Sequence, residues 1–296
     1  MGQKLLRWNE YTYNLGIDLG GTKIAAGVVK KNYRLMSLVM NPTDAFSSSE
    51  TILNNIEKTA KTAIEKADLK LEDISFTGLA IPSYPEENGT VIPECPNLPA
   101  LGRVRIKSIL AKHLGCRVAL ENDAKCFVLG EWLTGVAKKA INVVGVTLGT
   151  GVGVGLLLNG QLYRGCHWFS GEVWDQPMLD GGIIEDRISG RNLAQEAGVV
   201  SGKNVVQMAR EGDQNALKIM ASYGSSVGWL LSFIGRLVDP ELFVLGGSLS
   251  EAYDLYEKEV DAFIRGRWEI HLSKLGHKAP VIGAAMLLQH PYPVPI

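Results

Sequence analysis

Two segments of the chain share the same alternation of apolar runs and glycine-rich turns. Residues 15–29 consist of an apolar run, a turn and a second apolar run, and residues 144–158 repeat this order. When the two segments are superimposed, Asp18 falls on Thr147 and the glycine turns coincide. Short apolar runs bounded by glycine turns predict strands joined as hairpins. Two such hairpins far apart predict two related halves, since solenoid repeats recur about every 20 to 50 residues.

Helices and strands alternate over the rest of the chain. Ser47 and Glu50 have the spacing of a capping box, which predicts the start of a helix there. The apolar run 74–81 predicts a strand, and the proline-rich residues 82–99 predict a loop of a length that is often functional. Further along we predict a helix near 104–114, a strand over 116–120, a helix from about residue 124, a long helix near 216–238, a strand over 242–245 and a last helix over 283–289.

This order of elements in each half predicts an α/β fold with mixed sheets. We expect an N-terminal α/β domain over residues 1–120 and a larger C-terminal α/β domain over residues 121–283. A C-terminal helix, 284–296, is expected to pack back on the first domain. Residues 1–14 are polar and aromatic without the apolar core of a signal peptide, and we interpret them as a short leader into the first strand.

Composition and charge narrow the class of protein. Hydrophobic residues make up 46% of the chain and charged residues 21%, which is typical of a soluble globular protein. The formal net charge of −1 gives no indication of a nucleic acid or membrane partner. No apolar run reaches the roughly 18 to 20 residues needed to cross a bilayer, and with no signal-peptide core we expect a cytoplasmic location. The cysteines are scattered without a CxxC spacing, so we expect reduced thiols: Cys95, Cys116, Cys126 and Cys166.

The first glycine turn carries the groups that a phosphate needs. Gly20 and Gly21 expose backbone N–H groups and let an anion approach closely. Thr22 and Lys23 add a hydroxyl and a cation, and Asp18 could organise a hydrated Mg²⁺. The alternative is a simple hairpin turn, which becomes the weaker interpretation because a second turn repeats the pattern.

That second turn, Gly149, Thr150 and Gly151, predicts a second phosphate-binding loop. Gly246 and Gly247 follow a short apolar strand, where bare backbone would let an adenine ring lie close. On its own this last motif is weak. Together the two turns predict a polyphosphate held from both sides.

Asn122 and Asp123 lie where a strand gives way to a helix. One alternative is that either side chain only caps the helix. The other is catalytic, because a kinase needs one carboxylate to accept the proton of the attacking hydroxyl and an amide to bind its neighbours. We therefore predict Asp123 as the base and Asn122 as a ligand of the substrate.

A polar and aromatic segment after the second hairpin is the candidate for binding a diol. It contains His167, Glu172 and Asp175, and Glu185 follows it. Carboxylates suit a diol because they accept hydrogen bonds from two hydroxyls at once. The alternative for His167 is a surface or stacked histidine, and Trp168 and Trp174 could be core residues.

These motifs together resemble the ROK family of sugar kinases, within the actin and hexokinase superfamily, over roughly residues 15–288. The resemblance depends on Asp18–Lys23, Asn97–Pro99, Glu121–Ala124, Leu148–Gly151, the Gly-x-His and Ser-Gly-Glu pieces of Gly165–Glu172, Glu185–Gly190 and Asp239–Gly247.

The resemblance implies an actin/hexokinase-like (ribonuclease H-like) two-domain fold whose interdomain cleft closes over sugar and ATP with Mg²⁺. It implies Asp123 as catalytic base, and Asn97, Asn122, Glu172 and Glu185 as sugar ligands. The residues implied to line the nucleotide site are Gly20, Gly21, Thr22, Lys23, Gly149, Thr150, Gly151, Gly246 and Gly247.

One departure from the family pattern concerns zinc. The family has a histidine three residues after the sugar-binding glutamate, followed by a cysteine cluster, and these bind a structural zinc. Here that position is Asp175, and residues 176–184 contain no cysteine, so we expect no structural zinc. Asp175 or His167 is expected to take over the orientation of the sugar.

The resulting prediction is an ATP-dependent kinase of glucose or a related hexose, and a homodimer is expected by resemblance. The alternatives are an amino sugar, N-acetylmannosamine, fructose or a cyclitol as substrate, or a non-catalytic sugar-sensing protein. A DNA-binding regulator is disfavoured because only about 14 residues precede the first predicted strand.

Overall fold

The computed structural model describes residues 13–86, 90–93, 95, 97–179 and 181–290. The chain separates into two compact units. Unit 1 consists of the described residues through Cys126 and those from His277 onward, and unit 2 extends from Phe127 to Gly276. The domain boundaries predicted from the sequence were after residues 120 and 283. The predicted leader up to residue 12, and the predicted terminal helix after residue 290, lie outside the described residues.

Unit 1 contains a five-stranded mixed sheet. In chain order its strands are β1 (Tyr13–Leu19), β2 (Lys23–Lys30), β3 (Val39–Pro42), β4 (Ile74–Ile81) and β5 (Arg117–Asn122). Their order across the sheet is β3-β2-β1-β4-β5. Strand β1 pairs antiparallel with β2 as the predicted hairpin and parallel with β4.

Unit 2 contains a second five-stranded sheet with the same plan. Its strands are β6 (Val143–Leu148), β7 (Val152–Leu158), β8 (Gln161–Tyr163), β9 (Leu242–Gly246) and β10 (Glu269–Leu272), in the order β10-β9-β6-β7-β8. Strand β6 pairs antiparallel with β7 and parallel with β9, as β1 does with β2 and β4. The predicted internal repeat is therefore confirmed as a repeat of sheet topology.

The helices in chain order are α1 (Ser49–Glu65), α2 (Ile106–Leu114), α3 (Asp123–Thr134), α4 (Gly190–Glu196), α5 (Gly202–Arg210), α6 (Gln214–Val238), α7 (Glu257–Ile264) and α8 (Lys278–Ala285). None of the helices within the described ranges is long and apolar enough to cross a membrane.

The start of α1 differs by one residue from the prediction. Ser48, not Ser47, is the N-cap, and its hydroxyl accepts the Thr51 N–H at 3.2 Å. Consecutive serines leave the cap position ambiguous in the sequence, since each is a good cap residue. The helix buries an apolar face that includes Ile52, Ile56, Ala60, Ala63 and Ile64.

Helix α8 begins at Lys278, five residues before the predicted helix start at residue 283. Pro280 made that beginning hard to see, although proline is tolerated in the first turn of a helix, where N–H groups have no intrahelical partner. The helix packs on the unit 1 sheet at two glycines. A Cβ atom at Gly16 of β1 would collide with the Val281 carbonyl, and one at Gly78 of β4 with the Ala284 carbonyl.

The proline-rich segment after β4 is largely a loop, as predicted. Its described residues contain one isolated β-bridge, Glu86 to Val91, and then a short 3₁₀ helix, Pro99–Leu101. Residues 87–89, 94 and 96 of the predicted loop lie outside the described residues.

Candidate active site

Two carboxylates meet at the carboxyl edge of the unit 1 sheet. Asp18 of β1 is in register with Ala80 of β4, and Ala80 is in register with Glu121 of β5. Asp123 follows β5 directly as the first residue of α3. The carboxyl ends of parallel strands form the usual ligand-binding edge of an open α/β sheet. The sheet register therefore brings together Asp18 and Asp123, which are far apart in the sequence.

Burial strongly perturbs both carboxyls. Burial and the nearby charge of Asp123, opposed by the charge of Lys23, together raise the pKa of Asp18 to about 7. Burial also raises the pKa of Asp123 to about 6, against N–H groups that include the Ala124 N–H at 2.7 Å, and against the Lys125 charge. The pair can accept a proton near neutral pH, and a divalent cation would relieve its charge.

Asn122 does cap the helix, as one of the two alternatives predicted. Its Oδ1 accepts the Lys125 N–H at 3.0 Å, and its Nδ2 donates to the Ser83 carbonyl at 3.3 Å. These bonds use one donor and one acceptor of an amide that has two of each. The cap therefore fixes the orientation of Asn122 and is compatible with a second role as a ligand.

Lys125 was not singled out by the sequence analysis, yet its side chain is fully buried. A lysine is almost never fully buried unless it is paired. The sequence signal for its burial was its position in the otherwise apolar run that follows Asp123. Its charge favours the ionised form of Asp123.

The first glycine turn is closed by hydrogen bonds that the sequence did not predict. The Gly20 N–H donates to the Lys23 carbonyl at 3.0 Å. Thr43, which is fully buried, donates its hydroxyl to the Gly20 carbonyl at 2.7 Å and its N–H to the Thr22 carbonyl at 3.1 Å. No local motif marks Thr43, because its partners lie some twenty residues earlier. The turn is thus rigid while the Thr22 side chain stays exposed.

Two further polar residues of unit 1 lie at this turn. A Cβ atom at Gly21 would be 3.5 Å from the Asn97 Cβ, so the predicted sugar ligand Asn97 lies beside the predicted phosphate turn. Lys23 Nζ lies 2.6 Å from His277 Nε2. His277 was not predicted, since 254 residues separate it from Lys23 and no spacing rule connects them.

The second glycine turn is held by backbone and by a glutamate. The Gly149 N–H donates to the Gly151 carbonyl at 3.0 Å, and the Gly190 N–H at the start of α4 donates to the Gly149 carbonyl at 2.8 Å. The Glu185 carboxylate lies against Gly151, where a Cβ would collide with it, and accepts the Val152 N–H. Burial raises the pKa of Glu185. Glu185 therefore supports this turn, whatever it also binds.

A cavity of about 450 Å³ opens beside the second turn in unit 2. Gly149, Thr150 and Ser248 contribute to it. Gly247 has a φ of +85° and its missing Cβ would collide with the Leu148 carbonyl, so the chain requires glycine there. The remaining lining residues, which the sequence analysis did not predict, come mostly from α4, α5 and the loop between them: Gly190, Arg191, Ala194, Gln195, Val199, Val200, Ser201, Gly202, Lys203 and Leu249.

The candidate diol-binding segment is irregular, as predicted. Glu172 is buried, whereas His167 and Asp175 are exposed. The Glu185 N–H donates to the Trp174 carbonyl at 2.9 Å, so Asp175 lies in the stretch of chain that pairs with Glu185. The ring of Trp174 packs against the core of unit 2, which matches the core alternative for this residue.

In the parts of the chain that the structure describes, no group of three or more His, Cys, Asp or Glu side chains is arranged to hold a metal ion.

Comparison with known proteins agrees with this architecture. Two α/β units with equivalent five-stranded sheets, each with a glycine turn after its first strand, define the actin/hexokinase-like fold class. The ROK family profile matches residues 14–290, and the chain belongs to the ROK family. The predicted family and fold class are confirmed.

Two relatives and one solved structure show the extent of the similarity. An N-acetylgalactosamine kinase from Shewanella sp. (strain ANA-3) is 30% identical over 262 residues, covering 81% of this chain and 83% of the relative. A glucokinase from Thermotoga maritima is 29% identical over 313 residues, covering 93% and 96%. A ROK glucokinase from Streptomyces griseus in complex with glucose and AMPPNP superimposes with a TM-score of 0.79 at 25% identity, covering 92% of this chain and 98% of that chain.

Proposed function

We propose that this protein is an ATP-dependent carbohydrate kinase that transfers the γ-phosphoryl group of ATP to a hydroxyl of a hexose. The observation that carries the proposal is the partly buried pair of Asp18 and Asp123, with raised pKa values, beside the first glycine turn. Membership of a family whose relatives include sugar kinases supports it.

Asp123 is the proposed general base. Its pKa of about 6 leaves most of it ionised at neutral pH, yet high enough to accept a proton. The sugar oxygen attacks the γ-phosphorus, its proton passes to the Asp123 carboxylate, the bond from the γ-phosphorus to the β-phosphate oxygen breaks, and ADP leaves. The N–H of Ala124 and the Asn122 cap keep the base and its neighbouring amide in fixed orientations.

Asp18 is the proposed partner of the magnesium ion that accompanies ATP. Carboxylate oxygens are the ligands that Mg²⁺ prefers, and a bound cation would favour the ionised form of Asp18, whose pKa burial raises. When bound, Mg²⁺ supplies positive charge for the phosphoryl oxygens. Lys23 adds a fixed cation at the same turn, and the turn glycines offer backbone N–H groups.

The cavity of unit 2 is the proposed nucleoside site. Its volume of about 450 Å³ is within the usual range for small-molecule pockets. Val199 and Val200 provide apolar surface for a flat base, and Ser201 and Gln195 provide hydrogen-bonding groups. The similarity to a structure that contains AMPPNP supports ATP as the phosphoryl donor.

The sugar ligands proposed are Asn97, Asn122, Glu172 and Glu185. Asp175 or His167 is proposed for the role that the family gives to a zinc-held histidine. A hexose such as glucose is the first candidate because of the glucokinase relatives, and the N-acetylgalactosamine kinase relative makes an N-acetylated amino sugar the second. The cytoplasmic location and the homodimer stay predictions.

A coupled ADP-release assay tests the proposal. The purified protein is mixed with Mg-ATP and one member of a panel that includes glucose, N-acetylgalactosamine, N-acetylmannosamine, fructose and a cyclitol. We expect at least one sugar to stimulate ADP release well above the rate without sugar, and removal of Mg²⁺ with a chelator to abolish it. Background rates with every sugar would contradict the proposal.

A further inference from the structure

The contact between Lys23 and His277 fixes the tautomer of the histidine. The two nitrogens lie 2.6 Å apart. A lysine ammonium has donors only, so Lys23 donates and His277 Nε2 accepts. The ring proton of His277 is therefore on Nδ1, and the imidazole is neutral in this contact.

The backbone of His277 is fixed by the helix that follows it. Every residue of α8 from Ala279 to Ala285 is buried. The Val281 carbonyl lies directly against Gly16 of β1, and the Ala285 carbonyl accepts the Asn14 Nδ2–H at 2.9 Å. His277 therefore extends its ring towards the first glycine turn from a rigid position.

Lys23, in contrast, has a long side chain with many rotamers. Its charge favours the ionised form of Asp18, so the ammonium is attracted towards that carboxylate. The bond to His277 gives the ammonium a second, neutral partner. Held by this bond, the cation is pre-ordered at the turn before an anion arrives, which reduces the entropy lost on binding.

We propose that His277 is a positioning residue that holds the Lys23 ammonium ready for the terminal phosphates of ATP. This inference rests on the proposed function, since it assumes that the first glycine turn binds those phosphates. His277 acts through Lys23 and does not contact the reacting atoms. A lysine that binds phosphate equally before and during transfer lowers KM without changing kcat, so the effect of His277 should fall on KM for ATP.

Single substitutions test the split between KM and kcat. His277→Ala should raise KM for ATP about threefold to tenfold while kcat stays within about twofold. His277→Gln should recover most of the affinity, because its side-chain oxygen can accept the Lys23 N–H. The matched control is Lys278→Ala, which removes an exposed charge from the adjacent residue and should leave KM within about twofold. Unchanged KM in His277→Ala would overturn the inference.

A double-mutant cycle with Lys23→Met tests whether His277 acts through the lysine. In the Lys23→Met background, His277→Ala should have no further effect on KM for ATP, since the partner is already absent. An equal rise in KM in both backgrounds would overturn the inference.

The ring nitrogens of His277 provide a readout that does not depend on activity. The chain has five histidines, so a long-range ¹H–¹⁵N spectrum can be assigned by substitution. We expect the Nδ1–H tautomer for His277 and a changed Nε2 signal in Lys23→Met. An unchanged Nε2 signal would overturn the inference. Failure of all sugars in the ADP-release assay would overturn the proposed function, and with it the phosphate role, while this spectrum still tests the contact itself.

Discussion

The two glycine turns occupy equivalent places in equivalent sheets, yet different groups surround them. Asp18 is in register with the parallel strand β4, and Thr147 is in register with the parallel strand β9. The first position thus carries a carboxyl with a raised pKa, and the second carries a neutral hydroxyl. The first turn is flanked by Lys23 and Asp123, whereas the second turn adjoins a cavity.

This difference indicates that the two copies of one structural motif have different roles. The turn of unit 1 has ionisable groups at the places where a proton and a phosphoryl group need them. The turn of unit 2 has space and backbone contacts, which suit the binding of a ligand that does not react. Substitution of the unit 1 carboxyls should therefore reduce kcat, and substitutions in the unit 2 cavity should raise KM.

The largest effect is expected for the base. Asp123→Asn should lower kcat by about 10²- to 10⁴-fold, because the amide cannot accept the proton of the attacking hydroxyl. Binding of the sugar, measured by calorimetry, should be largely kept. The control is Asp261→Asn, since Asp261 is exposed on α7. An Asp123→Asn variant with nearly wild-type kcat would remove the basis for assigning chemistry to unit 1.

A smaller effect is expected for filling the cavity of unit 2. Gln195 is exposed and contributes to the cavity, so Gln195→Trp places a large ring there without disturbing the core. We expect KM for ATP to rise about tenfold while kcat at saturating ATP changes little. Gln207→Trp on α5 is the matched control, because Gln207 is exposed and does not line this cavity. If Gln195→Trp lowered kcat instead, the proposal that the unit 2 cavity only binds the nucleotide would be contradicted.

The smallest effect concerns stability and has an unusual sign. Burial raises the pKa of Asp18 from 3.8 to about 7, so the stability this group contributes is present at acid pH and is lost as the pH rises through 7. Asp18→Asn should therefore be more stable than the wild type at pH 8, by about 1 to 2 kcal/mol, and this advantage should shrink towards pH 4.

Thermal unfolding of the apoprotein without metal measures this difference. A gain of about 1 kcal/mol corresponds to a rise in Tm of about 2 to 4 °C for a domain of this size. A Tm of Asp18→Asn at pH 8 equal to or below that of the wild type would show that the ionised Asp18 carboxylate does not destabilise the fold. Activity should fall in the same variant, as expected where a functional site costs stability.

The long apolar strands and the repeat were predictable because they depend on local pattern. The strand β4, Ile74–Ile81, has the predicted bounds, since a continuous apolar run is ended by a proline. The positions of β3 and β10 were not predicted, because four residues are too few to show a period. Strand β5 extends through Asn122, two residues beyond its predicted end, because the polar residues Glu121 and Asn122 still pair with β4.

The candidate site was predictable where its residues belong to motifs. Asp18 and Asp123 lie next to glycine turns and strand ends, which are visible in the sequence. Thr43 and His277 reach the first turn from distant segments, and only the folded sheet and α8 bring them there. Arg191 and Lys203 line the cavity because they lie at the beginnings of α4 and α5, beside the second turn. No sequence motif marks either residue.

The central claim is that a partly buried carboxyl of unit 1 accepts the substrate proton. Its most direct test is the pH dependence of kcat/KM for the sugar that the protein phosphorylates. The pKa values of Asp123 and Asp18 are about 6 and about 7. Both are raised, so both groups become protonated, and Asp123 loses its function as a base, as the pH falls. We predict an acidic limb with a midpoint between about pH 6 and pH 7, below which kcat/KM falls about tenfold per pH unit. A value that stays constant down to about pH 5 would contradict the account.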